Sequence, residues 1–466
     1  MEINHNYKTY FDNIHGFIPC SDLAVKFIDN PCFQRLRNLY QLGTTNYVFL
    51  GAIHTRFEHS IGTYYLAGRI LKCINERTNE DLMHEYLFEI KELHNYFKRK
   101  NIKKFFLDDM ICELIKISAL YHDVGHGPFS HVFDDIFIPS VSKEDNIMNI
   151  HEYRSCYILE HVIKHTCSDL YQFIKDDEIQ FMKNIINPTD NHKSFIYQIV
   201  SNNKNGIDVD KFDYIKRDAR SVGLHYGYDC SRLVDDVYII NNSICYPKQS
   251  YMDIVNLFET RYRLHKTIYS HKTVISIQFM INDIMILLDP ILKLSDSIND
   301  IKLFTEIDDR TIMCYPNFLL NHINKNIIID NVINAKNIMD RINNRKLYKF
   351  IDTIVSKKKI NVTWKNFNEI DNEILKEDIH IHIGKIGFYS GNKSNPLQNI
   401  SFYNTKNIKK KSKENKSFTI KNNEISIILP EYQQEYILMI YSTNNNKKKN
   451  IENALIKIKL EKLKLK

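Results

Sequence analysis

Three histidines and an aspartate stand within ten residues of one another, at His122, Asp123, His126 and His131. Imidazole and carboxylate groups together suit a borderline transition-metal ion such as Mn, Fe, Co, Ni or Zn. Adjacent residues on a helix point about 100° apart, so His122 and Asp123 would hold one ion from neighbouring directions. A single His-Asp pair is common on protein surfaces. The added histidines, and the glycines between them that let a ligand approach the backbone, favour a functional site.

Two further segments carry groups of the same kind. Residues 54–59 offer imidazoles and a cation just before an apolar helical stripe. Residues 208–218 offer a carboxylate followed by Lys211, Tyr214 and Asp218, which share one helical face because they are spaced i, i+3, i+7. Taken alone, that face is more typical of an exposed, salt-bridged helix.

A third polar stripe lies between residues 251 and 272, where Arg261, His265 and Tyr269 are spaced by four. Arg261 and Lys211 would then approach from separate helices. Each cation can make charge-assisted hydrogen bonds to phosphate oxygens. The pattern therefore favours a triphosphate as the ligand beside the metal.

Helices are the elements expected to position these segments. From residue 27 to about 292 apolar residues recur at helical spacing, and residues 75–108 form a polar helical excursion. The helix before His122 is expected to end at Gly125, with Pro128 blocking its continuation. Only 13 glycines occur, and the sequence has no P-loop or G-x-G-x-x-G fingerprint, so a doubly wound nucleotide-binding sheet is not expected.

The pattern of residue types changes after about residue 340. Short β-rich runs at 379–383 and 425–429 are separated by Asn, Lys and Gly turns. His380 and His382 alternate with isoleucine, which predicts the polar face of a strand and not metal ligands. The last stretch, 451–466, suits a strand or a frayed helix. We therefore predict a mainly α protein, with a helical domain over residues 1–340 and a smaller mixed α/β lobe with a Lys-rich tail over 341–466.

The bulk composition limits the class of protein. The chain has 466 residues, 43% of them hydrophobic, which is enough for a sizeable core. Its formal charge of +7, from 63 Lys+Arg against 56 Asp+Glu, favours anionic ligands. Lysines cluster at 409–413 and 447–449 without interleaved aromatic residues, so solvated loops are favoured over a nucleic-acid patch, and any nucleic-acid binding is expected to be weak.

Cysteine usage and hydropathy indicate the compartment. Nine cysteines without a C-x-x-C pair suggest neither a disulfide framework nor a thiolate zinc site. The most apolar stretch, 273–292, is interrupted by polar residues, and neither a secretion signal nor a membrane span is visible. We expect an intracellular protein, cytoplasmic or nuclear, without a membrane partner.

Together these segments resemble the HD-domain phosphohydrolase superfamily and, much more closely, the animal triphosphohydrolases that join a SAM domain to an HD domain. The similarity runs from residues 12–16 (Asp-Asn-Ile-His-Gly) through 33–37 and 41–43 to the three segments above, and resumes at 395–396 and 401–403. It covers nearly the whole chain except a SAM domain, for which there is no room.

The resemblance implies a helical HD-domain core, a deoxynucleoside triphosphate (dNTP) substrate and a divalent metal, which could be Mg, Mn, Fe or Zn. It implies metal ligation by His59, His122, Asp123 and Asp210. It implies an acid-base group of His126, His131, Asp134 and His151. The implied phosphate contacts are Arg56, Lys211, Tyr214 and Arg261. The implied sugar contacts are Gln41 and Asp218 at the 3′-hydroxyl, Leu42 and Tyr269 against the 2′ position, and His265 beside them.

These implied roles agree with the chemistry of the residue types. A metal ion activates water and polarises a phosphoryl oxygen, and a nearby histidine can protonate the leaving alkoxide. Attack of water at the α-phosphorus would release a deoxynucleoside and intact triphosphate.

The resemblance also implies regulation. It implies a GTP activator site at Asp29, Gln34 and Arg37, and assembly into dimers or tetramers. The chain departs from the family elsewhere, because Ser270 replaces a glutamine expected to contact the base. In the second effector site Pro247 and Gln249 replace basic residues, and Phe11 and Asp253 replace asparagines. We expect looser base preference and a weak or dispensable second effector.

Two alternatives stay open. One is an HD phosphohydrolase that acts on another phosphate ester, such as a nucleoside monophosphate, a cyclic nucleotide or an RNA end. The cations Lys211 and Arg261 favour a triphosphate over these. The other is a non-catalytic nucleic-acid binder that uses the basic tail, although a pure binder has no need of four metal-binding groups.

Overall fold

The computed structural model describes residues 3–142, 146–224, 228–322, 329–387, 396–420 and 434–461, and most of them are helical. The prediction of a mainly α fold with a smaller strand-containing lobe is confirmed. The first helices are α1 Asp22–Ile28, α2 Pro31–Gln34, α3 Arg56–Arg77, α4 Glu80–Phe88, α5 His94–Arg99, α6 Asp109–Tyr121, α7 Ile138–Val141, α8 His151–His161 and α9 Asp176–Ile186. The later helices are α10 Val209–Ser221, α11 Ser231–Asp235, α12 Tyr251–Leu264, α13 Lys272–Leu292, α14 Ile301–Glu306, α15 Asp309–His322, α16 Ile329–Asn343, α17 Trp364–Asn368 and α18 Lys448–Glu461.

The strands form three small sheets. An N-terminal hairpin pairs β1 (Lys8–Asp12) with β2 (Gly16–Cys20), and Gly16 supplies the positive φ of the turn. A second sheet has the order β3-β4-β7-β8, with strands Tyr238–Ile240, Ser243–Pro247, Ser401–Tyr403 and Ser417–Phe418. The third is antiparallel in the order β5-β9-β6, with strands Lys349–Ser356, Gln434–Ser442 and Ile379–Gly387.

The second sheet crosses the predicted boundary near residue 340. Strand β7 pairs in parallel with β4, so that Cys245 lies opposite Ser401 and Tyr246 opposite Phe402. The third sheet packs with α17 and α18 around a second hydrophobic cluster, while Met439 and Tyr441 of β9 belong to the main core. The division at residue 340 stays a prediction, with β7 and β8 attached to the helical part.

The longest helices form the core that holds the site. Among the described residues α13 alone has the length and apolar composition of a membrane span, but 61% of its most apolar window is buried inside the protein. That degree of burial is typical of a core helix. The start of α3 is fixed by Glu58, whose carboxylate accepts a hydrogen bond from the Thr55 N–H at 2.8 Å.

The structure corrects two local expectations and decides a third. Helix α6 ends at Tyr121 and not at Gly125, whose role is close packing: a Cβ there would stand 2.2 Å from the carbonyl oxygen of His151. His380 does not lie on an open polar face, since it stacks on Phe279 of α13 and bonds Asp283 at 2.9 Å. The stretch predicted as strand or frayed helix contains α18. The expected run at 425–429, Asn395 and the last tail residues lie outside the described residues.

Candidate active site

Four side chains from three regions of the helical core converge on one point. His59 lies in the first turn of α3, His122 and Asp123 directly follow α6, and Asp210 lies in the first turn of α10. His59 Nε2 and His122 Nε2 are 3.3 Å apart, and Asp210 Oδ1 lies 3.2 Å from the former and 3.4 Å from the latter. Asp123 Oδ1 lies 3.3 Å from His122 Nε2. The structure thus brings the four predicted metal ligands together.

Hydrogen bonds orient both imidazoles towards that point. His122 Nδ1 donates to the carbonyl oxygen of Ala119 at 2.7 Å, and His59 Nδ1 lies 2.8 Å from Asp213 Oδ2. When the outer nitrogen of a ligand histidine donates its proton, the inner nitrogen is left as an unprotonated ligand atom. Both Nε2 atoms are therefore available to a cation.

Asp213 is itself held rigidly. Arg217 donates two hydrogen bonds to its carboxylate, at 2.8 and 2.9 Å, and His15 Nε2 lies 2.7 Å from Oδ1. Arg217 also bonds Asp12 at 2.8 Å. Gly62 of α3 makes room for this network, because a Cβ at that position would stand 2.0 Å from Asp213 Oδ1.

The carboxylates set the charge of the site. Burial opposes ionisation of His59, but its hydrogen bonds to Asp210 and Asp213 outweigh burial and raise its pKa to about 10. Burial also opposes ionisation of Asp210, yet hydrogen bonds from His122 and His59 hold the pKa of Asp210 well below its ordinary value. The ionised carboxylates therefore make the centre attractive to a cation. Two imidazoles and two carboxylates in this arrangement fit a divalent metal ion.

A second group of histidines adjoins the first. His126 Nδ1 lies 2.6 Å from Asp134 Oδ2, and its Nε2 lies 3.5 Å from Asp123 Oδ1. Arg154 pairs with the other oxygen of Asp134 and donates to the carbonyl oxygen of Gly125 at 2.7 Å.

The other two members of this group differ in exposure. The ring of His151 stacks on that of His126 at 3.8 Å, and burial, then repulsion from His126, lowers the pKa of His151 well below its ordinary value. His131 is exposed and pairs with Asp135 at 3.0 Å, although its ring centre stays 5.3 Å from that of His126. The structure therefore groups all four predicted acid-base residues, with three inside and one at the rim.

A strained loop connects this group to the cations. Phe129 and Ser130 both have left-handed backbone conformations, with φ of 57° and 55°. Ser130 Oγ accepts a hydrogen bond from Arg56 at 2.8 Å, and Arg56 also pairs with Asp123. Asp309 accepts hydrogen bonds from the N–H groups of Phe129, at 2.6 Å, and Tyr40, at 3.0 Å. The buried Asp309 carboxylate thus fixes two loops near Arg56, one at Phe129 and one at Tyr40.

The predicted sugar contacts gather at the far end of α10. Asp218 is buried, with His54 Nε2 2.7 Å from one carboxylate oxygen and the Tyr269 hydroxyl 2.5 Å from the other. Gln41 is buried beside them, since its N–H donates to the carbonyl oxygen of His54 at 3.0 Å. Leu42 follows Gln41 and is half-buried.

Two of the predicted phosphate contacts, Lys211 and Tyr214, lie between the two ends of α10. On α10, Asp210, Lys211, Tyr214 and Asp218 fall within about 100° of one face, and eight residues advance about 12 Å along the axis. Lys211 Nζ lies 3.0 Å from Asp208 and 4.0 Å from Asp210. Burial, then repulsion from Arg261, lowers the pKa of His265 well below its ordinary value, while burial raises the pKa of Tyr214.

Comparison with known proteins decides the family. The HD domain family matches residues 56–179. A putative HD domain-containing protein, L394 of Acanthamoeba polyphaga mimivirus, is 40% identical over 95% of this chain and 93% of its own length. The deoxynucleoside triphosphate triphosphohydrolase SAMHD1 homolog of Dictyostelium discoideum is 34% identical over 97% of this chain and 80% of its own. For the deoxynucleoside triphosphate triphosphohydrolase SAMHD1 of Homo sapiens the identity is 30%, over 93% and 70%.

The chain belongs to the SAMHD1 family of HD-domain hydrolases. The HD match begins at Arg56, contains three of the four converging metal-type ligands, and ends before Asp210. Asp210 and the predicted sugar contacts lie outside the HD match, while the SAMHD1 relatives align with 93% or more of this chain.

The residues predicted to bind GTP occupy a surface apart from this buried centre. Asp29 is exposed and forms an ion pair with Lys8 at 2.9 Å. Gln34 accepts a hydrogen bond from Arg37 at 2.8 Å, and the Arg37 guanidinium lies 3.6 Å from the ring centre of Phe57. All three side chains therefore have neighbours within the single chain.

The residues that depart from the family's second effector site are also placed. Gln249 donates a hydrogen bond to Thr405 at 2.8 Å, and Asp253 lies 3.8 Å from Arg232. Phe11 is exposed and packs edge-on against Phe17, with ring centres 5.1 Å apart. In the basic loop Lys413 pairs with Asp81 at 2.6 Å, as expected of a solvated loop.

Sequence reasoning missed the residues that hold the ligands in place. These are chiefly Asp213, Arg217, Arg154, Asp309 and His54. One signal was available, because Asp213 and Arg217 are spaced by four on α10, as a helical ion pair requires. The contacts of Arg154 and Asp309 join segments far apart in the chain, and no local pattern predicts them.

Proposed function

We propose that the chain hydrolyses dNTPs to a deoxynucleoside and inorganic triphosphate. The proposal is based on the arrangement of side chains along α10. A metal-type donor set lies at one end of this helix and a carboxylate-tyrosine pair lies at the other. Cationic side chains lie between the two ends. A dNTP has the same order of groups, with a hydroxylated sugar joined to a chain of phosphates. The names of the Dictyostelium and human relatives point to the same substrate class.

His59, His122, Asp123 and Asp210 would hold a divalent ion. Two imidazole nitrogens favour Mn, Fe or Zn over Mg, which prefers oxygen ligands. When bound, the ion supplies a Lewis acid that stabilises charge on the α-phosphoryl oxygens and generates a nucleophile from water. Arg56 contributes a fixed positive charge at the same place, because Ser130 and Asp123 orient its guanidinium.

His126 is the proposed general acid for the departing 5′-oxygen. Its Nδ1 is held by Asp134, so its Nε2 faces the metal centre and can deliver a proton there. Arg154 keeps Asp134 ionised and in position, and the neutral ring of His151 covers one face of His126. His131 lies at the rim, where it can exchange protons with solvent.

The remaining contacts would set the specificity. Lys211, Tyr214 and Arg261 would bind the β- and γ-phosphates, and Gln41 with Asp218 would bind the 3′-hydroxyl. Leu42 and Tyr269 would fill the space that a 2′-hydroxyl needs, with His265 packed against Tyr269 at a ring separation of 4.8 Å.

Regulation is a separate part of the proposal. GTP would bind at Asp29, Gln34 and Arg37 and promote dimers or tetramers, while the second effector would bind weakly because Pro247 and Gln249 lack cationic side chains.

The nine cysteines are free thiols, in keeping with a reducing intracellular compartment, cytoplasmic or nuclear.

The test is incubation of the purified protein with each of the four dNTPs and Mg or Mn, with and without GTP. Chromatography should show deoxynucleoside and triphosphate in equal amounts. Release of a deoxynucleoside monophosphate and pyrophosphate, or of orthophosphate, would instead indicate a different phosphohydrolase. A salt-dependent mobility shift of nucleic acid without nucleotide hydrolysis would support a binding protein.

A further inference from the structure

His54 makes contacts that join two parts of the sugar site. It lies in the loop before α3, and 5% of its surface is exposed. Its side-chain Nε2 is 2.7 Å from Asp218 Oδ1, and its backbone carbonyl accepts the Gln41 N–H at 3.0 Å. Under the proposed function, Asp218 and Gln41 are the two residues that bind the sugar 3′-hydroxyl. One residue therefore contacts both of them.

These contacts fix the direction of the Asp218 carboxylate. One oxygen accepts from His54 and the other from the Tyr269 hydroxyl, so the carboxylate plane is held at both ends. Each carboxylate oxygen has more than one lone pair. Asp218 can therefore accept a further hydrogen bond from a ligand hydroxyl without losing either protein partner.

Two polar atoms at this end of the site lack protein partners among the described residues. Among the described residues, no group bonds Gln41 Oε1 or His54 Nδ1, and both atoms are buried. A buried polar atom without a partner is costly unless a ligand or water satisfies it. Because His54 Nε2 donates to Asp218, Nδ1 is the ring nitrogen that remains open to a ligand. The region is thus suited to a donor group such as a sugar hydroxyl.

We infer that His54 is a positioning residue for recognition of the sugar 3′-hydroxyl, with its side chain acting through Asp218. This inference rests on the proposed function for its substrate. Without His54 the Asp218 carboxylate keeps a single anchor at Tyr269 and can rotate away from the substrate. The resulting loss should therefore depend on whether the substrate has a 3′-hydroxyl.

The experiment compares dATP with 2′,3′-dideoxy-ATP for the unaltered protein and for His54→Ala and His54→Gln. We expect His54→Ala to lower kcat/KM for dATP by about 10-fold to 100-fold and to leave the dideoxy substrate nearly unchanged, as loss of one hydrogen bond to a charged group predicts. Glutamine keeps an N–H donor, so His54→Gln should restore part of the preference.

Asp218→Asn and the double variant complete a mutant cycle. If His54 acts through Asp218, the two changes should reduce the 3′-hydroxyl preference less than additively. Equal losses on both substrates in His54→Ala, with no recovery in His54→Gln, would overturn the inference and indicate a purely structural residue.

Binding measured by calorimetry separates this inference from the proposed function. If the unaltered protein binds dATP more tightly than the dideoxy analogue but hydrolyses neither, the proposed function fails and the His54 variants still test the preference in binding. If the unaltered protein shows no preference for the 3′-hydroxyl, or His54→Ala retains it in full, the inference is wrong. Poor folding of His54→Ala would leave His54→Gln and Asp218→Asn to decide by the same ratio.

Discussion

The metal centre and the surface predicted to bind GTP are built in different ways. At the metal centre His59 is fully buried, and its imidazole is held by Asp213, which is itself bonded by Arg217. At the predicted GTP surface Asp29 and Arg37 are exposed and bond neighbours a short distance away. The first region is assembled by folding alone. The second can exchange its present partners for a ligand or another copy of the chain at little cost.

The largest expected effect comes from removing a metal ligand. Asp210→Asn or His122→Ala should lower hydrolysis by more than about 1000-fold, because each removes a donor atom and the metal-dependent part of catalysis with it. The folded structure should survive, since the site is polar and partly open at Asp210. Asp109→Asn is the matched control, with a side chain that is 87% exposed on α6. A variant that keeps both metal and a near-normal rate would defeat the assignment.

The next prediction tests whether metal binding needs the residues that hold the metal ligands in place. Gly62→Ala places a methyl group 2.0 Å from Asp213 Oδ1, so Asp213 must move and His59 must follow. We expect metal affinity to fall about 10-fold to 100-fold, as measured by metal titration. Gly68→Ala on the same helix is the control, because its Cβ would meet only the flexible Lys116 side chain at 3.3 Å. Equal metal affinity in both variants would show that the Asp213 network is not needed.

We expect a smaller effect from the residue proposed to select deoxyribose than from the metal ligands. Tyr269 donates to Asp218, and under the proposed function it would fill the space of a 2′-hydroxyl, so a ribonucleotide would face a clash or a buried unpaired hydroxyl worth about 1–3 kcal/mol. Tyr269→Ala should narrow the dATP-to-ATP ratio of kcat/KM by about 10-fold to 100-fold. If the unaltered protein turns over ATP and dATP equally, this account of selectivity is wrong.

We expect the stability of the protein to depend on pH through Asp309, whose carboxylate bonds the N–H groups of Phe129 and Tyr40. Burial raises its pKa to about 7 despite the two N–H donors. The folded protein therefore holds this proton more tightly than the unfolded chain does, and the contribution to stability is lost as pH rises from about 4 to about 7. The free energy of unfolding of the unaltered protein should fall relative to Asp309→Asn by up to about 1.4 kcal/mol per pH unit. Denaturant unfolding between pH 4.5 and 8 measures this difference, and a constant offset would contradict it.

The smallest effect is expected at the exposed surface. Arg37→Ala removes a guanidinium that stacks on Phe57 and bonds Gln34, so a single chain should lose little stability. Its rate without GTP should stay unchanged, while the increase in turnover and in mass across a GTP titration should disappear. Light scattering and turnover provide both readings. Full activity of the unaltered protein without GTP, at constant mass, would show that GTP does not regulate this protein.

The contrast between the two regions also explains what the sequence could predict. His122, Asp123 and the stripe on α10 are local patterns, and the family resemblance added His59 and Asp210, which the structure places beside them. Apart from the spacing of Asp213 and Arg217, no local pattern predicts the supporting residues, because His15 meets Asp213 and Asp309 meets Phe129 only after folding. The end of α6 was misplaced for a related reason. Gly125 is required by the approach of α8, which a helix-ending rule does not consider.

Isotope labelling would identify the bond that is cleaved and the atom that water attacks. Hydrolysis of a dNTP in ¹⁸O-water would be followed by phosphorus NMR of the triphosphate and mass spectrometry of the deoxynucleoside. Attack of water at the α-phosphorus predicts one ¹⁸O atom on a terminal phosphorus of the triphosphate and none in the deoxynucleoside, with no product from Asp210→Asn. Label in the 5′-hydroxyl, or cleavage to a monophosphate and pyrophosphate, would contradict the proposed reaction.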